Sequence, residues 1–183
     1  VHEAISDICA SNAAYTEYDC IDLLIKSIDR MQNDKSIDIY LLIQIHPRTS
    51  LGSENRLKQY LAKYNALRLH FSLIRSPAPL NWCMAADVVT GMTSALLAYS
   101  AILGKKVIVV QPGITDQTDR QIVSRKKIAP LVVNERQLVD ALRAHVNRGE
   151  GPADRLNGLW DIKRSGVSSD IIRRIMSLPG RPE

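Results

Sequence analysis

Apolar residues along this chain follow two alternating spacings, one typical of helices and one typical of buried strands. The first helical stretch begins after Thr16, which is followed three residues later by Asp19, a pairing that caps helix N-termini. Its apolar positions recur at helical spacing, at Ile21, Leu24, Ile25, Ile28 and Met31. Residues 39–45 are then almost continuously apolar and stop at Pro47, which predicts a strand covered on both faces.

The same alternation continues through the rest of the chain. The spacing of Leu57, Tyr60, Leu61 and Tyr64 predicts a second helix, and residues 67–71 predict a short strand. The remaining predicted elements, in chain order, are a short helix at 81–86, a strand at 88–89, a helix at 94–103 ended by Gly104, a strand at 107–110, a polar helix at 119–127, a strand at 131–133, and a helix capped by Asn134 and Gln137 with Leu138 and Leu142 on its inner face.

Strands and helices that alternate with short connections predict one architecture. We expect an α/β fold, a Rossmann-like, doubly wound parallel sheet with helices on both faces, formed by residues 1–149. The alternation stops near position 150, so residues 150–183 are predicted to be a C-terminal helical appendage with a short amphipathic helix near 170–178. We expect this appendage to pack on the main domain or on a neighbour.

Composition excludes several classes of protein. The 183 residues are 45% hydrophobic and 23% charged, which is typical of a core-forming domain and not of a disordered chain. The net charge of +5 is spread out without interleaved aromatic residues, which favours a solvated surface over nucleic-acid binding. The three cysteines lack metal-site spacing, so a zinc site and a disulfide framework are unsupported and a cytoplasmic location fits best.

The sequence also argues against a membrane span. The longest uncharged stretch, residues 88–104, contains hydroxyl residues and Gly91 and divides into a strand, a turn and a helix. We expect no secretory signal. The basic residues and the C-terminal amphipathic helix are compatible with an anionic membrane surface, but packing of that helix on its own domain is favoured.

Candidate chemistry lies in the loops that follow the strands, because ligands bind at the carboxyl edge of a parallel sheet. Three loops qualify, at residues 46–50, 90–94 and 111–118. In the second, Thr93 and Ser94 offer hydroxyls beside the N–H groups that begin the next helix, where an anion is stabilised. The alternative is that Ser94 only caps that helix, and the sequence by itself favours the cap.

The other two loops add complementary groups. His46 ends its strand and can donate to a phosphate, as can Arg48, although packed or solvated roles are equally open to them. Asp116 and Gln117 offer the donors and acceptors that sugar hydroxyls need, or they form an ordinary turn before a helix. The chain contains no P-loop string, nucleophile elbow or metalloprotease motif, so we predict no metal site.

A family resemblance runs through residues 85–133. Their sequence, AADVVTGMTSALLAYSAILGKKVIVVQPGITDQTDRQIVSRKKIAPLVV, resembles the C-terminal, donor-binding domain of GT-B-fold glycosyltransferases. The IHPR at residues 45–48 is similar to the His-Pro motif of bacterial sialyl-, polysialyl- and polyol-phosphate-type transferases. The resemblance implies that this chain forms one half of a GT-B fold.

The resemblance also implies a function. It points to a metal-independent, cofactor-free transferase of polysaccharide biosynthesis that takes a sugar from a nucleotide-activated donor, in the cytoplasm or at the inner face of the membrane. It assigns four residues to the donor phosphate, His46, Arg48, Thr93 and Ser94. It assigns two residues to the donor sugar, Asp116 and Gln117. The first strand is expected before or at Val1, and the general base in a missing N-terminal, acceptor-binding half, so this fragment is expected to bind without turnover.

The chain departs from the family pattern at two points. The family often has a Gly-Gly pair or a glutamate in the phosphate turn and the following helix, where this chain has Met92-Thr93-Ser94 and Ala98-Tyr99, and Lys106 stands where proline is usual. Two alternatives therefore stay open. A sugar-nucleotide 2-epimerase-like protein shares the fold but needs proton-moving carboxylates that the sequence does not identify. The other alternative is a non-catalytic α/β module that binds a nucleotide or a partner protein.

Overall fold

The computed structural model describes residues 14–34, 39–67, 69–115, 119 and 121–147. Helices and strands alternate along this part of the chain. They are α1 (Glu17–Asp34), β1 (Tyr40–Gln44), α2 (Leu51–Ala62), β2 (His70–Ile74), α3 (Pro79–Ala85), β3 (Val88–Gly91), α4 (Ala95–Ile102), β4 (Lys106–Val110), α5 (Ile122–Arg125), β5 (Leu131–Val132) and α6 (Glu135–Asn147). The predicted first strand, the appendage at 150–183 and the boundary before it lie outside the described residues.

The strands pair in parallel, which confirms the predicted α/β class. β1 pairs with β2, and β4 lies between β3 and β5. Side chains of β4 alternate between two hydrophobic clusters, with Ile108 and Val110 in the first and Val107 and Val109 in the second. The first cluster also contains residues of α1, α2 and α6, and the second contains residues of α3, α4 and α5. Helices therefore cover both faces, as in a doubly wound sheet.

The described strands form two sheets, not one. Strand β1 of the first sheet and strand β3 of the second line the same small cavity. Residues 41–43 of β1 line the cavity together with residues 90–92 at the end of β3, and the first turns of α1 form another wall. The chain winds outward from β1 to β2 on one side, and from β3 through β4 to β5 on the other. The cavity thus lies where the direction of winding reverses, which is the ligand-binding position in doubly wound folds.

Neighbouring backbone amides of β1 point in opposite directions, and this difference in direction can be tested by hydrogen exchange. The N–H of Ile45 donates to Ile74 of β2 at 2.8 Å, so by alternation the N–H of Ile43 also points toward β2. The N–H groups of Leu42 and Gln44 point the opposite way, toward the β3 side. We expect the amides of Leu42 and Gln44 to exchange with deuterium faster than those of Ile43 and Ile45, as measured by NMR. Equal protection would mean that β1 is paired on both sides.

Several local predictions are confirmed by the capping contacts. The carboxylate of Asp19 accepts from the backbone N–H of Thr16 at 2.8 Å, and the hydroxyl of Thr16 accepts from the N–H of Asp19 at 3.3 Å, which is a reciprocal cap for α1. Gly104 follows α4 with a φ of 79°, the left-handed conformation expected there. The side chain of Asn134 accepts from the N–H of Gln137 at 3.0 Å and caps α6.

Two predicted boundaries were wrong, and each error has a local cause. β2 begins at His70 and not at Leu67, because turns continue after α2, with the N–H of Leu67 donating to Tyr64 at 3.0 Å. The helix predicted at 119–127 is only Ile122–Arg125. Its start is delayed because the carboxylate of Asp119 accepts from the backbone N–H of Gln121 at 2.8 Å, a local side-chain bond that competes with helix formation.

Among the residues that the structure describes, no helix combines the length and the apolar character that a membrane crossing requires.

Candidate functional site

The carboxyl ends of β1, β3 and β4 converge on one edge of the molecule. β3 and β4 pair in parallel, so the residues that follow Gly91 and Val110 are neighbours. The thiol of Cys20, near the start of α1, donates to the carbonyl of Val110 at 3.6 Å, which places the start of α1 at this edge. The chain returns from the far end of α1 to the same cavity at Ile43, so β1 also ends there.

The cavity beneath this edge is not itself a nucleotide site. Its volume is about 40 Å³, and most of its lining is apolar. That volume admits water but is far below the several hundred cubic ångströms of ligand pockets. A ligand of nucleotide size has to bind above the cavity, among the loops that follow the strands.

His46 follows β1 in a loop whose backbone orients the imidazole. Its Nδ1 accepts the backbone N–H of Arg48 at 3.1 Å, and its carbonyl accepts the N–H of Thr49 at 2.9 Å. A neutral imidazole that accepts at Nδ1 carries its hydrogen on Nε2, so His46 presents a hydrogen-bond donor. Its side chain is partly exposed and Arg48 beside it is exposed. The end of β1 therefore offers donor groups suited to an anion.

Arg75, the residue after β2, holds this loop in place. Its guanidinium donates to the carbonyl of Thr49 at 3.0 Å and to that of Pro47 at 3.4 Å. Two nitrogens of the same guanidinium donate to one carboxylate oxygen of Glu54, at 2.8 and 3.1 Å, and form an ion pair with it. Hydrogen bonds from Lys58 and Arg75 lower the pKa of Glu54, so this carboxyl stays ionised. The His46 loop is thus fixed from the neighbouring strand.

Thr93 and Ser94 connect β3 to α4. Thr93 is exposed, and Ser94 occupies the N-cap position, where its side-chain oxygen accepts the N–H of Leu96 at 3.3 Å. This is the capping role that the sequence favoured for Ser94. Capping uses the hydroxyl oxygen as an acceptor, and a hydroxyl in that position still has its hydrogen to donate. The cap and a contact to a ligand are therefore compatible.

Two buried glutamines that follow β4 in the chain hydrogen-bond to the backbone of the turn between β3 and α4. Gln111 is 1% exposed and Gln121 is 3% exposed. The side-chain amide of Gln111 donates to the carbonyl of Met92 at 3.3 Å, and that of Gln121 donates to the carbonyl of Ser94 at 3.0 Å. The carboxylate of Asp119 joins the two glutamines. The loops after β3 and β4 thus form one hydrogen-bonded unit.

Four of the six residues assigned to the donor lie at this edge. His46 and Arg48 follow β1, whereas Thr93 and Ser94 follow β3, and residues of both strands line the cavity. The structure thus brings the two loops that were predicted to bind phosphate to one edge of the fold. Asp116 and Gln117, assigned to the donor sugar, lie outside the described residues, and that assignment stays a prediction.

Sequence reasoning missed two residues that shape the site. Arg75 directly follows a strand, and Gln121 follows a cluster of polar residues, but neither position shows what its side chain contacts. Gln121 bonds to Ser94, 27 positions away in the chain. The only available signal was position, because Arg75 also stands at the carboxyl end of a strand.

Within the described ranges, no group of three or more His, Cys, Asp or Glu side chains is arranged to hold a metal ion. Comparison with known proteins adds no assignment: no protein-family model matches the chain, and neither the curated proteins nor the solved structures include a significant match. Any functional conclusion therefore rests on the geometry of the carboxyl edge.

Proposed function

We propose that this chain is the donor-binding half of a glycosyltransferase that transfers a sugar from a nucleotide-activated donor. The observation that carries the proposal is that two donor-rich loops, those of His46 and Ser94, follow β1 and β3, the two strands that line the cavity where the direction of winding reverses. Ligand phosphates bind at this position in doubly wound folds. The resemblance of residues 85–133 to GT-B donor domains points to the same edge.

The proposed mechanism is electrostatic. Negative charge grows on the phosphate of the leaving nucleotide as its bond to the sugar breaks. The Nε2–H of His46, the guanidinium of Arg48 and the hydroxyl of Ser94 would stabilise that charge, with the N-terminus of α4 adding its partial positive charge. In this proposal these groups do the work that a metal ion does in other transferases, and no cofactor takes part.

Other groups complete the proposed reaction. Asp116 and Gln117 orient the donor sugar, and the general base that activates the acceptor belongs to a separate N-terminal half. The partners are thus a nucleotide sugar and that acceptor-binding half, with no nucleic acid. We place the protein in the cytoplasm, at most peripheral to the inner face of the membrane, as a component of polysaccharide biosynthesis. By itself the chain should bind a donor without turning it over.

Calorimetric titration with UDP, CDP, CMP and GDP tests this proposal. We expect His46→Ala to weaken binding of the preferred nucleotide about 10- to 100-fold, since a hydrogen bond to a charged group contributes about 1.5–3 kcal/mol. Ser94→Asp keeps a good N-cap but places a negative charge beside the phosphate, so it should weaken binding at least about tenfold without lowering the melting temperature.

A matched control separates the site from general effects of substitution. His70 begins β2 and is exposed at the opposite edge, so His70→Ala should leave nucleotide binding unchanged. Normal binding by both His46→Ala and Ser94→Asp would move the site elsewhere. Failure of the unaltered chain to bind any of the nucleotides would overturn the donor-site proposal and favour a protein-interaction module.

A further inference from the structure

Two buried glutamines hydrogen-bond to backbone carbonyls of the Thr93–Ser94 turn, and the carbonyl of Ser94 also accepts the N–H of Leu97 within α4 at 3.1 Å. The carbonyls of Met92 and Ser94 both accept hydrogen bonds from beneath the turn, from the side-chain amides of Gln111 and Gln121. In a trans peptide the carbonyl and the following N–H point in opposite directions. Drawing these two carbonyls inward therefore turns the N–H groups of Thr93 and Ala95 outward.

Asp119 fixes the two glutamines relative to each other. One oxygen of its carboxylate accepts the side-chain amide of Gln111 at 2.9 Å and the backbone N–H of Gln121 at 2.8 Å. The other oxygen accepts the hydroxyl of Ser124 at 2.5 Å. Asp119 is only 8% exposed, so these bonds are shielded from competition by water. The network has a defined direction, in which each amide points its N–H toward a backbone carbonyl.

We propose that Gln111 and Gln121 are positioning residues that hold the N–H groups of Thr93 and Ala95 in the orientation required to bind phosphate. The inference rests on the proposed function, because it assumes that a phosphate binds at this turn. It goes further by assigning a role to residues that do not touch the ligand. The donor geometry at α4 then depends on a buried hydrogen-bond network reaching from the end of β4 to the start of α5.

The substitution Gln121→Glu tests the inference with the smallest change of shape. It replaces the amide that donates to Ser94 by a carboxylate oxygen, which repels that carbonyl, so the peptide between Ser94 and Ala95 should tilt away from Gln121 and be held only by the bond from the N–H of Leu97. We expect the variant to bind the preferred nucleotide about tenfold more weakly, a loss of the size caused by one misplaced hydrogen bond. Gln121→Met, which removes the donor without adding charge, should weaken binding in the same direction and serves if the first variant does not fold.

A spectroscopic readout distinguishes positioning from direct contact. In the unaltered chain, titration with inorganic pyrophosphate should shift the backbone amide NMR signals of Thr93 and Ala95, and Gln121→Glu should reduce those shifts. Gln137→Glu is the matched control, because the oxygen of Gln137 already accepts from Val133 and a carboxylate oxygen can do the same. That control adds the same charge but should leave both binding and the two amide signals unchanged.

Each outcome decides between the two proposals. If the unaltered chain binds neither pyrophosphate nor any nucleotide, the proposed function fails. If the unaltered chain binds but both Gln121 variants bind equally well, the proposed function stands and the positioning role is overturned. Weaker binding with unchanged amide shifts of Thr93 and Ala95 would also overturn it, because Gln121 would then act on the ligand directly.

Discussion

Replacing Asp22 by alanine should lower the free energy of unfolding by about 2 kcal/mol at neutral pH, because its carboxylate accepts several hydrogen bonds at once. The hydroxyl of Tyr60 donates to it at 2.5 Å, the hydroxyl of Tyr64 donates to the same oxygen, and Lys63 approaches at 3.2 Å. These contacts tie α1 to the end of α2. Urea titration followed by circular dichroism measures the difference.

The pH dependence of this effect identifies its origin. Partial burial opposes ionisation of Asp22, but the bonds from Tyr60, Tyr64 and Lys63 outweigh it and lower the pKa below its ordinary value of 3.8. A lowered pKa means that the stabilisation is fully present above pH 3.8 and is lost as the pH falls through the pKa of the folded state. The stability difference between the unaltered chain and Asp22→Asn should therefore shrink in acid.

Alkaline titration provides the opposite arm of the test. Burial and the bond to Asp22 raise the pKa of Tyr64 from 10.0 to about 12. The folded state thus keeps this phenol protonated, and the corresponding stability is lost as the pH rises from 10.0 toward 12. Tyr64→Phe should remove that alkaline loss. A stability difference for Asp22→Asn that stays constant from pH 7 into acid would show that the carboxylate contributes through packing and not through its charge.

The sequence predicts most of the fold because the relevant signals are local. Helical spacing from Ile21 to Met31 identifies α1, and an almost continuous apolar run identifies β1, without knowledge of any distant contact. The boundary of β2 was less accessible. Leu67 and Leu69 pack against the first cluster from a turn and a connecting segment, and such apolar residues have the same composition as a strand.

For the candidate site, too, the sequence predicts some features and not others. Its position follows from topology, since residues after parallel strands share an edge, and this locates His46, Thr93 and Ser94 from the sequence alone. Contacts between residues far apart in the chain have no local signature. Arg75 donates to the Thr49 carbonyl and Gln121 donates to the Ser94 carbonyl. From the sequence alone, either side chain would be interpreted as a solvated surface residue.

The sequence likewise did not predict the cluster of side chains around Asp22. Tyr60 lies in α2, as its helical spacing predicts, whereas Tyr64 at the same spacing lies in the turn after the helix ends at Ala62. Phenol rings at such positions are normally assigned to the core. The hydroxyls of Tyr60 and Tyr64 converge on a carboxylate 38 and 42 residues earlier in the chain. Pairing of this kind requires the relative placement of two helices, which only the folded structure provides.

Truncation of Leu97 to alanine should have the largest effect on stability, about 3 kcal/mol, since it removes a fully buried side chain from a close-packed core. Leu97 lies in α4 with 0% exposure and belongs to the second cluster. It is three positions beyond Ser94, so it packs the helix that begins at the candidate site. Leu51→Ala is the control, because Leu51 is 77% exposed and its truncation should change stability by at most about 0.5 kcal/mol.

Comparison with Leu57→Ala then shows whether the two clusters unfold together. Leu57 is 1% exposed and belongs to the first cluster. β4 contributes Ile108 and Val110 to one cluster and Val107 and Val109 to the other, so loss of packing on either face weakens the same strand. Both variants should therefore shift one common unfolding transition with an unchanged slope in urea. Two separate transitions, with Leu97→Ala affecting only one, would instead mean that the sheet is not shared cooperatively between its faces.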